Sequence, residues 1–268
     1  MPDIFNDFSP RGLVGVIKAN LFEHYDYLGH SPAADVHEDG HLKWILTGIP
    51  SPFMNNVVKT QLASGEVEEV IRQTLVDFRS RNVTMVSWWA EPGSQPADLG
   101  EHLLANGLSY TDGGPGMAVD LQALNELPIP PGFTVQWVED LEMLRGFARI
   151  AAFNFGAPEA DEVAFKLMAG LGHDLPLRNY VGYLNGQPVA TAELFLGAGV
   201  AGIYWVSTLP DVRGLGIGSA VTQVPLQEAR EMGYGVGILH SSPLGFGVYR
   251  RLGFTEYCRM SHYIWMSE

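Results

Sequence analysis

The chain has 268 residues, of which 46% are hydrophobic and 17% charged, a composition typical of one large or two modest globular domains and not of a disordered chain. Its formal net charge of −14 disfavours nucleic acid as a partner, because an acidic surface repels the phosphate backbone, whereas a cationic amine is compatible with it. Cys258 is the single cysteine, which excludes an intrachain disulfide, a multi-cysteine zinc site and a CxxC redox centre.

Targeting signals and membrane segments are not evident in the sequence. The first residues lack the basic start and apolar core of a signal peptide, and no run of about 18 apolar residues occurs. Together with the lone cysteine, this predicts a cytoplasmic protein without a membrane partner or a bound metal.

Hydrophobic spacing predicts alternating helices and strands in the first half of the chain. The predicted helices cover residues 11–27, 64–78 and 99–105, with Ser64 as the N-cap of the second. The predicted strands cover residues 42–46, 55–62 and 83–89. This order is typical of an α/β fold.

A proline-rich stretch separates this half from the next. Residues 127–132, Leu-Pro-Ile-Pro-Pro-Gly, hold three prolines and a glycine, which favour neither helix nor strand. We therefore predict a linker at 127–132 between domains at 1–126 and 133–268.

The second half shows a clearer alternation of elements. Strands are predicted at 133–138, 180–184, 189–195, 200–208 and 236–240, and Asn185-Gly186 is a strong hairpin turn. Helices are predicted at 141–153, 159–171, from the glycine-rich turn to about 232, and at 246–252, before a final pair of strands. The expected fold class is α/β with a mixed sheet.

A weak internal repeat suggests that the two halves are related. Residues 78–92 parallel residues 229–243, and residues 103–110 parallel residues 249–256. The first half has Ala63-Ser-Gly-Glu where the second has a glycine-rich turn, so we expect one ligand site per chain, in the second half.

That turn is the most informative motif of the chain. A β-branched run, predicted as a strand, ends at Thr208 and is followed by Pro210, which cannot continue the strand. The segment Arg213-Gly-Leu-Gly-Ile-Gly218 then leads into a predicted helix. Free backbone N–H groups at the start of a helix bind phosphate well. The spacing is not the dinucleotide pattern GxGxxG, which needs glycine where Ser219 or Val221 stands, nor a Walker A loop, which needs a Gly-Lys pair.

The turn resembles motif A of the GNAT superfamily of acyl-CoA-dependent N-acyltransferases, in which R/Q-x-x-G-x-G/A follows a strand and a proline. The segment from Val248 to Phe254, Val-Tyr-Arg-Arg-Leu-Gly-Phe, resembles the motif B helix of the same family. The resemblance covers residues 133–268 and implies two tandem GNAT-like domains, of which the N-terminal one is degenerate.

The resemblance also implies where acetyl-CoA binds. The helix N-terminus would hold the diphosphate, and the strand that ends at Thr208 would pair with the amide-bearing pantetheine arm. A backbone N–H near Val206 would stabilise the oxyanion of the thioester. The expected cofactor-binding residues are Val206, Ser207, Thr208, Arg213, Gly214, Leu215, Gly216, Ile217, Gly218, Ser219 and Ser242.

Three residues are candidates for acid–base chemistry. Tyr249 falls at the family's tyrosine, where the phenol protonates the leaving CoA thiolate, although by spacing alone such a residue is more often a core aromatic. Glu193 lies in an apolar strand and could accept the ammonium proton through water, or it could reach solvent or an arginine. His240 is a second candidate for the base, and Ser241 or Ser242 stands where the family often has asparagine.

The sequence therefore predicts direct transfer of an acetyl group from acetyl-CoA to an amine in a ternary complex. A non-catalytic acyl-CoA-binding regulatory or interaction protein is the alternative. The amine acceptor and the oligomeric state stay open, because fold and cofactor do not determine the acceptor.

Overall fold

The computed structural model describes residues 4–91, 93–154 and 156–267. Its helices are α1 (Pro10–Leu28), α2 (Val67–Ser80), α3 (Leu99–Ala105), α4 (Leu141–Asn154), α5 (Asp161–Leu171), α6 (Ile217–Glu231) and α7 (Phe246–Arg251). Its strands are β1 (Asp35–Glu38), β2 (Leu42–Leu46), β3 (Asn55–Thr60), β4 (Met85–Trp88), β5 (Ser109–Thr111), β6 (Pro115–Asp120), β7 (Phe133–Trp137), β8 (Leu177–Leu184), β9 (Gln187–Gly197), β10 (Val200–Thr208), β11 (Val236–His240), β12 (Thr255–Arg259) and β13 (His262–Met266). None of the helices in the described part of the chain combines the length and the apolar character needed to cross a bilayer.

The chain divides into two compact units that are each discontinuous in sequence. Unit 1 comprises Met1–His24 and Gly114–Met260, and unit 2 comprises Tyr25–Gly113 and Ser261–Glu268. This division differs from the two consecutive domains, 1–126 and 133–268, that the sequence predicts. The physical reason is strand pairing: β6, which precedes the predicted linker, lies in the sheet of unit 1, and β13, at the end of the chain, lies in that of unit 2.

Unit 2 is built on a six-stranded mixed sheet with the strand order β1-β2-β3-β4-β13-β5. Helix α2 buries Val67, Ile71, Leu75 and Phe78, the positions that its hydrophobic spacing predicts. They pack with Trp88 and with the apolar face of α3 in one core. The indole Nε1 of Trp88 donates a hydrogen bond to Thr60 Oγ1 at 2.9 Å, which satisfies the buried donor.

Unit 1 is built on a seven-stranded mixed sheet with the strand order β12-β6-β11-β10-β9-β8-β7. Asn185 and Gly186 join β8 to β9 with positive φ angles of 50° and 80°, as a tight hairpin turn requires. Helix α6 packs on β8, β9 and β10, and its Ile217, Ala220 and Val221 form a core with residues of β7 and β9. The predicted α/β class with mixed sheets is confirmed.

Several local predictions are corrected by the structure. The strands β1, β5 and β6 were not predicted, because each is short or carries little alternation of apolar and polar residues. The final two strands do not pair with each other: β12 pairs with β6, and β13 pairs with β4 and β5. Ser64 is not a helix cap, since residues 64–66 form a turn and α2 begins after Glu66 without a side-chain cap.

The internal repeat corresponds to a repeated arrangement of elements. In unit 2, α2 leads into β4, which pairs in parallel with β3; in unit 1, α6 leads into β11, which pairs in parallel with β10. A short helix and a glycine with positive φ follow each, at Gly107 and Gly253. Pro92, at the end of the first repeat segment, lies outside the described residues.

Candidate active site

The glycine-rich turn adopts a backbone that side chains disfavour. Gly214 and Gly216 have φ angles of 81° and 85°, in the left-handed region where a Cβ is strained, and Gly216 is the N-cap of α6. The first helical hydrogen bond runs from the N–H of Ala220 to the carbonyl of Gly216 at 3.1 Å. The N–H groups of residues 217–219 precede that ladder and lie at the positive end of the helix dipole.

The neighbouring strands β10 and β11 separate beside this turn. Their parallel pairing ends at Ile203 and Leu239, although both strands continue. On the other side, β10 carries a register shift against β9 between Tyr204 and Ser207, and Trp205 in this bulge has a φ of 48°. The end of β10 stays paired with β9 beyond the bulge, whereas the side from which β11 has separated is suited to pairing with an extended ligand.

A cavity of about 280 Å³ opens between these elements. Its size is close to the lower end of the range for small-molecule sites. Three separate segments form it: the end of β10, the turn with the start of α6, and the stretch from Ser242 into α7. The lining residues are Val206, Ser207, Thr208, Val212, Arg213, Gly214, Ile217, Gly218, Ser242, Leu244, Gly245, Val248 and Tyr249.

Most of the residues predicted to bind the cofactor lie around this cavity, together with Tyr249. Leu215, Gly216 and Ser219 belong to the same turn and first helical residues without lining the cavity. Leu215 is exposed, and Ser219 is buried in the helix. Glu193 does not line the cavity either.

Two polar side chains hold the walls of the cavity. The Nε of Arg213 donates a hydrogen bond of 3.0 Å to the carbonyl of Thr208, which joins the turn to the end of β10. Ser242 Oγ accepts a hydrogen bond from the N–H of Gly245 at 3.2 Å, which shapes the entry into α7. The first contact joins two of the three segments, and the second stabilises the local backbone of the third.

Tyr249 is the titratable group of the cavity with the most perturbed environment. It lies on α7, is buried, and packs edge-to-face against Phe254. Burial raises the pKa of the Tyr249 phenol above its usual range, so the phenol is protonated at neutral pH. A protonated phenol in a cavity wall can serve as a proton donor.

Glu193 lies in the interior of unit 1, fully buried on β9. Its Oε1 is 2.7 Å from Nε2 of His24, on α1. It therefore reaches neither solvent nor an arginine, the two structural roles that its sequence position left open. Burial raises the pKa of the Glu193 carboxyl, and His24 partly opposes that rise.

The sequence of this region matches a known family. Residues 130–254, which hold every element of the cavity, match the acetyltransferase (GNAT) family. Residues 130–254 belong to that family. The stretch starts inside the predicted linker and ends with the Gly253-Phe254 pair.

Solved structures extend the likeness of the GNAT domain to nearly the whole chain. A GCN5-related N-acetyltransferase from Kribbella flavida has a TM-score of 0.66 at 20% identity, covering 93% of this chain and 96% of its own. A tandem GNAT protein from the clavulanic acid biosynthesis pathway has a TM-score of 0.58 at 15% identity, with coverage of 97% and 96%. A functionally unknown conserved protein from Staphylococcus epidermidis reaches 0.61 at 17% identity, with coverage of 88% and 95%. No curated protein sequence matches the chain significantly.

These likenesses are at the level of the fold, which is that of two GNAT-like domains in tandem, as the sequence predicts. The family match itself covers only the second of them.

The sequence analysis missed four residues of the cavity wall and one partner of Glu193. The four wall residues are Val212, Leu244, Gly245 and Val248. They lie within or beside the two motifs, and this position in the sequence could have identified them. His24 carried no signal at all, because 169 positions separate it from Glu193.

Proposed function

We propose that the protein is an N-acetyltransferase that transfers an acetyl group from acetyl-CoA to an amine by direct attack in a ternary complex. The observation that carries this proposal is the convergence of three separate segments on one cavity. They bring the N-terminus of α6, the end of β10 and the buried, protonated Tyr249 to the same place.

Binding of the co-substrate follows from the shape and polarity of the cavity. The N–H groups at the start of α6 suit the diphosphate, since they carry partial positive charge and have no helical partner. The end of β10, from Val206 to Thr208, suits the amides of the pantetheine arm. The cavity of about 280 Å³ accommodates the arm, and the nucleotide would lie along the exposed turn that includes Leu215.

The proposed chemistry moves one acetyl group and two protons. The nitrogen of the neutral amine bonds to the acetyl carbon, the carbon–sulfur bond breaks, and Tyr249 gives its proton to the departing thiolate. The backbone N–H of Val206 stabilises negative charge on the thioester oxygen. Glu193 accepts, through water, the one proton that the amine loses as the amide forms, and Tyr249 is reprotonated before the next turnover.

Binding and turnover test this proposal separately. Titration calorimetry with acetyl-CoA should show saturable binding at one site per chain. Release of CoA thiol should then be measured with a panel of amines: a polyamine, an aminoglycoside, an amino acid and a lysine-containing peptide. Absence of saturable binding contradicts the proposal, whereas binding without acetylation of any amine favours a non-catalytic acyl-CoA-binding protein.

A further inference from the structure

A row of buried polar side chains crosses the sheet of unit 1 beside the cavity. Asn179 pairs in register with Glu193, and Glu193 pairs with Tyr204. The ring of His240 lies next, with its centroid 6.2 Å from that of Tyr204. These four residues stand on the adjacent strands β8, β9, β10 and β11.

The row faces away from α6. The neighbouring strand residues Tyr180, Leu194 and Ile203 pack in the core that includes Leu226 of α6. Successive side chains of a strand point to opposite faces, so the polar row occupies the other face. A sheet face that packs against protein is normally apolar, and four polar side chains in line require an explanation.

The C-terminal half of α1 covers this row at close range. The imidazole of His24 stacks on the ring of Tyr204, with centroids 3.9 Å apart and planes inclined by 2°. Asn20, one turn earlier, accepts a hydrogen bond from the Tyr204 hydroxyl at 2.7 Å. Gly202 makes this approach feasible, since a Cβ at that position would collide with the Asn20 side chain.

Several polar atoms of the row have no hydrogen-bond partner among the described residues. They are Glu193 Oε2, both ring nitrogens of His240, and both amide atoms of Asn179. A network that served only to join α1 to the sheet would be expected to satisfy its buried polar atoms.

The row also crosses β10 and β11 at the point where the two strands separate. Tyr204 and His240 directly follow Ile203 and Leu239, the last paired residues, and Val206 and Ser242, two residues further on, line the cavity. The row therefore combines spare acceptor atoms with a position beside the proposed reaction site.

We propose, building on the acetyltransferase function above, that His24 is a positioning residue that holds Glu193 as the proton acceptor for the amine. The amine gives one proton to Glu193 through water as its nitrogen bonds to the acetyl carbon, and the buried carboxyl later loses that proton by the same water path. The site of the GNAT domain thus depends on a side chain that lies outside residues 130–254.

The electrostatics of the row are consistent with this role. Burial raises the pKa of Glu193, and both the charge and the hydrogen bond of His24 lower it. Burial and the charge of His24 lower the pKa of His240 to about 4, so His240 is neutral at pH 7.

The other elements packed on β9 add no charge near Glu193. Asn20 and Asn179 do not titrate. On α4, which packs against β9, the charged residues Glu142, Arg145 and Arg149 are exposed. Glu23 of α1 is exposed as well, and its Oε2 accepts a hydrogen bond from the N–H of Ala198. His24 is therefore the group that opposes the effect of burial and lowers the pKa of Glu193.

The test is the pH dependence of kcat/KM, measured with acetyl-CoA and the amine of the panel that is acetylated fastest. A carboxylate base loses activity as the pH falls through its pKa. Loss of His24 raises the pKa of Glu193, so the acidic limb should move to higher pH in His24→Gln and further in His24→Ala. Each unit of displacement lowers the rate on that limb about tenfold, and activity should recover above it.

Three further measurements make the test decisive. Glu193→Gln should lose activity at every pH, and His30→Gln, which replaces an exposed histidine, should keep the wild-type profile. Carboxyl ¹³C NMR, with Glu193 assigned through Glu193→Gln, should show a higher titration midpoint in His24→Gln, a readout that needs no turnover. If His24→Ala does not fold, His24→Gln and the NMR titration carry the test.

The outcomes distinguish this inference from the proposed function. A wild-type protein that acetylates an amine, with an unchanged pH profile or an unchanged Glu193 midpoint in His24→Gln, overturns the role of His24 and leaves the acetyltransferase function intact. A wild-type protein that binds no acetyl-CoA contradicts the proposed function itself.

Discussion

At the scale of single residues, Tyr249 shows how burial prepares a side chain for chemistry. The phenol lies in the cavity wall on α7, and removal from water disfavours its ionised form. The proton is therefore retained at neutral pH, as a general acid requires until the leaving group departs. This favours a role as general acid over a role as an activated nucleophile.

Tyr249→Phe should separate chemistry from binding. We expect kcat to fall by about 100-fold or more, the range for loss of a general acid, while the dissociation constant of acetyl-CoA stays within about twofold of wild type. Stopped-flow or steady-state release of CoA thiol and calorimetry measure the two quantities. Tyr110→Phe, at an exposed tyrosine of unit 2, is the matched control. Unchanged turnover in Tyr249→Phe would exclude the phenol as the acid.

At the scale of elements, the start of α6 uses its glycines for different purposes. Gly214 and Gly216 provide positive φ angles, which any other residue would adopt only with strain. Gly218 lies within the helix and has space around it, since an added Cβ would approach Thr208 Oγ1 and Val248 Cγ1 no closer than 3.6 Å. Gly218 is one of the residues that line the cavity.

Gly218→Ala should therefore preserve the fold and weaken the binding of acetyl-CoA. Alanine is the better helix former, so the free energy of unfolding should be unchanged or higher by up to about 1 kcal/mol. The added methyl group narrows the cavity, and the dissociation constant of acetyl-CoA should rise about tenfold or more. Thermal unfolding and calorimetry test the two parts.

Two other glycines serve as references for this substitution. Gly146→Ala, at a helical glycine of α4 with open space around it, should raise the free energy of unfolding without changing the dissociation constant of acetyl-CoA. Gly216→Ala should lower stability by about 1–2 kcal/mol because of its left-handed backbone. If Gly218→Ala binds acetyl-CoA as well as wild type, the ligand does not approach the backbone at this turn.

At the scale of the whole molecule, each unit contains a strand from the opposite half of the sequence, β6 in unit 1 and β13 in unit 2. Each unit therefore depends on distant parts of the chain. Strand β6 lies between β11 and β12, and residues up to His24 belong to the same unit. Unit 2 in turn needs β13, which lies between β4 and β5. Neither sheet is complete within one half of the sequence.

A chain limited to residues 127–268 should therefore not fold. Loss of β6 removes the neighbour of both β11 and β12, and loss of α1 uncovers Glu193 and Tyr204. We expect an insoluble product, or one without a cooperative thermal transition by circular dichroism. Coexpression of residues 1–126 as a separate chain should restore solubility and acetyl-CoA binding. A truncated protein that folds and binds acetyl-CoA alone contradicts this dependence.

The sequence by itself determined the class of fold, most elements and the glycine-rich turn, because these depend on local periodicity and on spacing within a few residues. Strand β10 was predicted with its observed ends, and Tyr249 was found because its motif is contiguous. Only the tertiary structure decided which strands complete each sheet, and what surrounds Glu193. The pairing of β6 with β11 and the contact of His24 with Glu193 join residues more than 100 positions apart, and no short pattern records such distances.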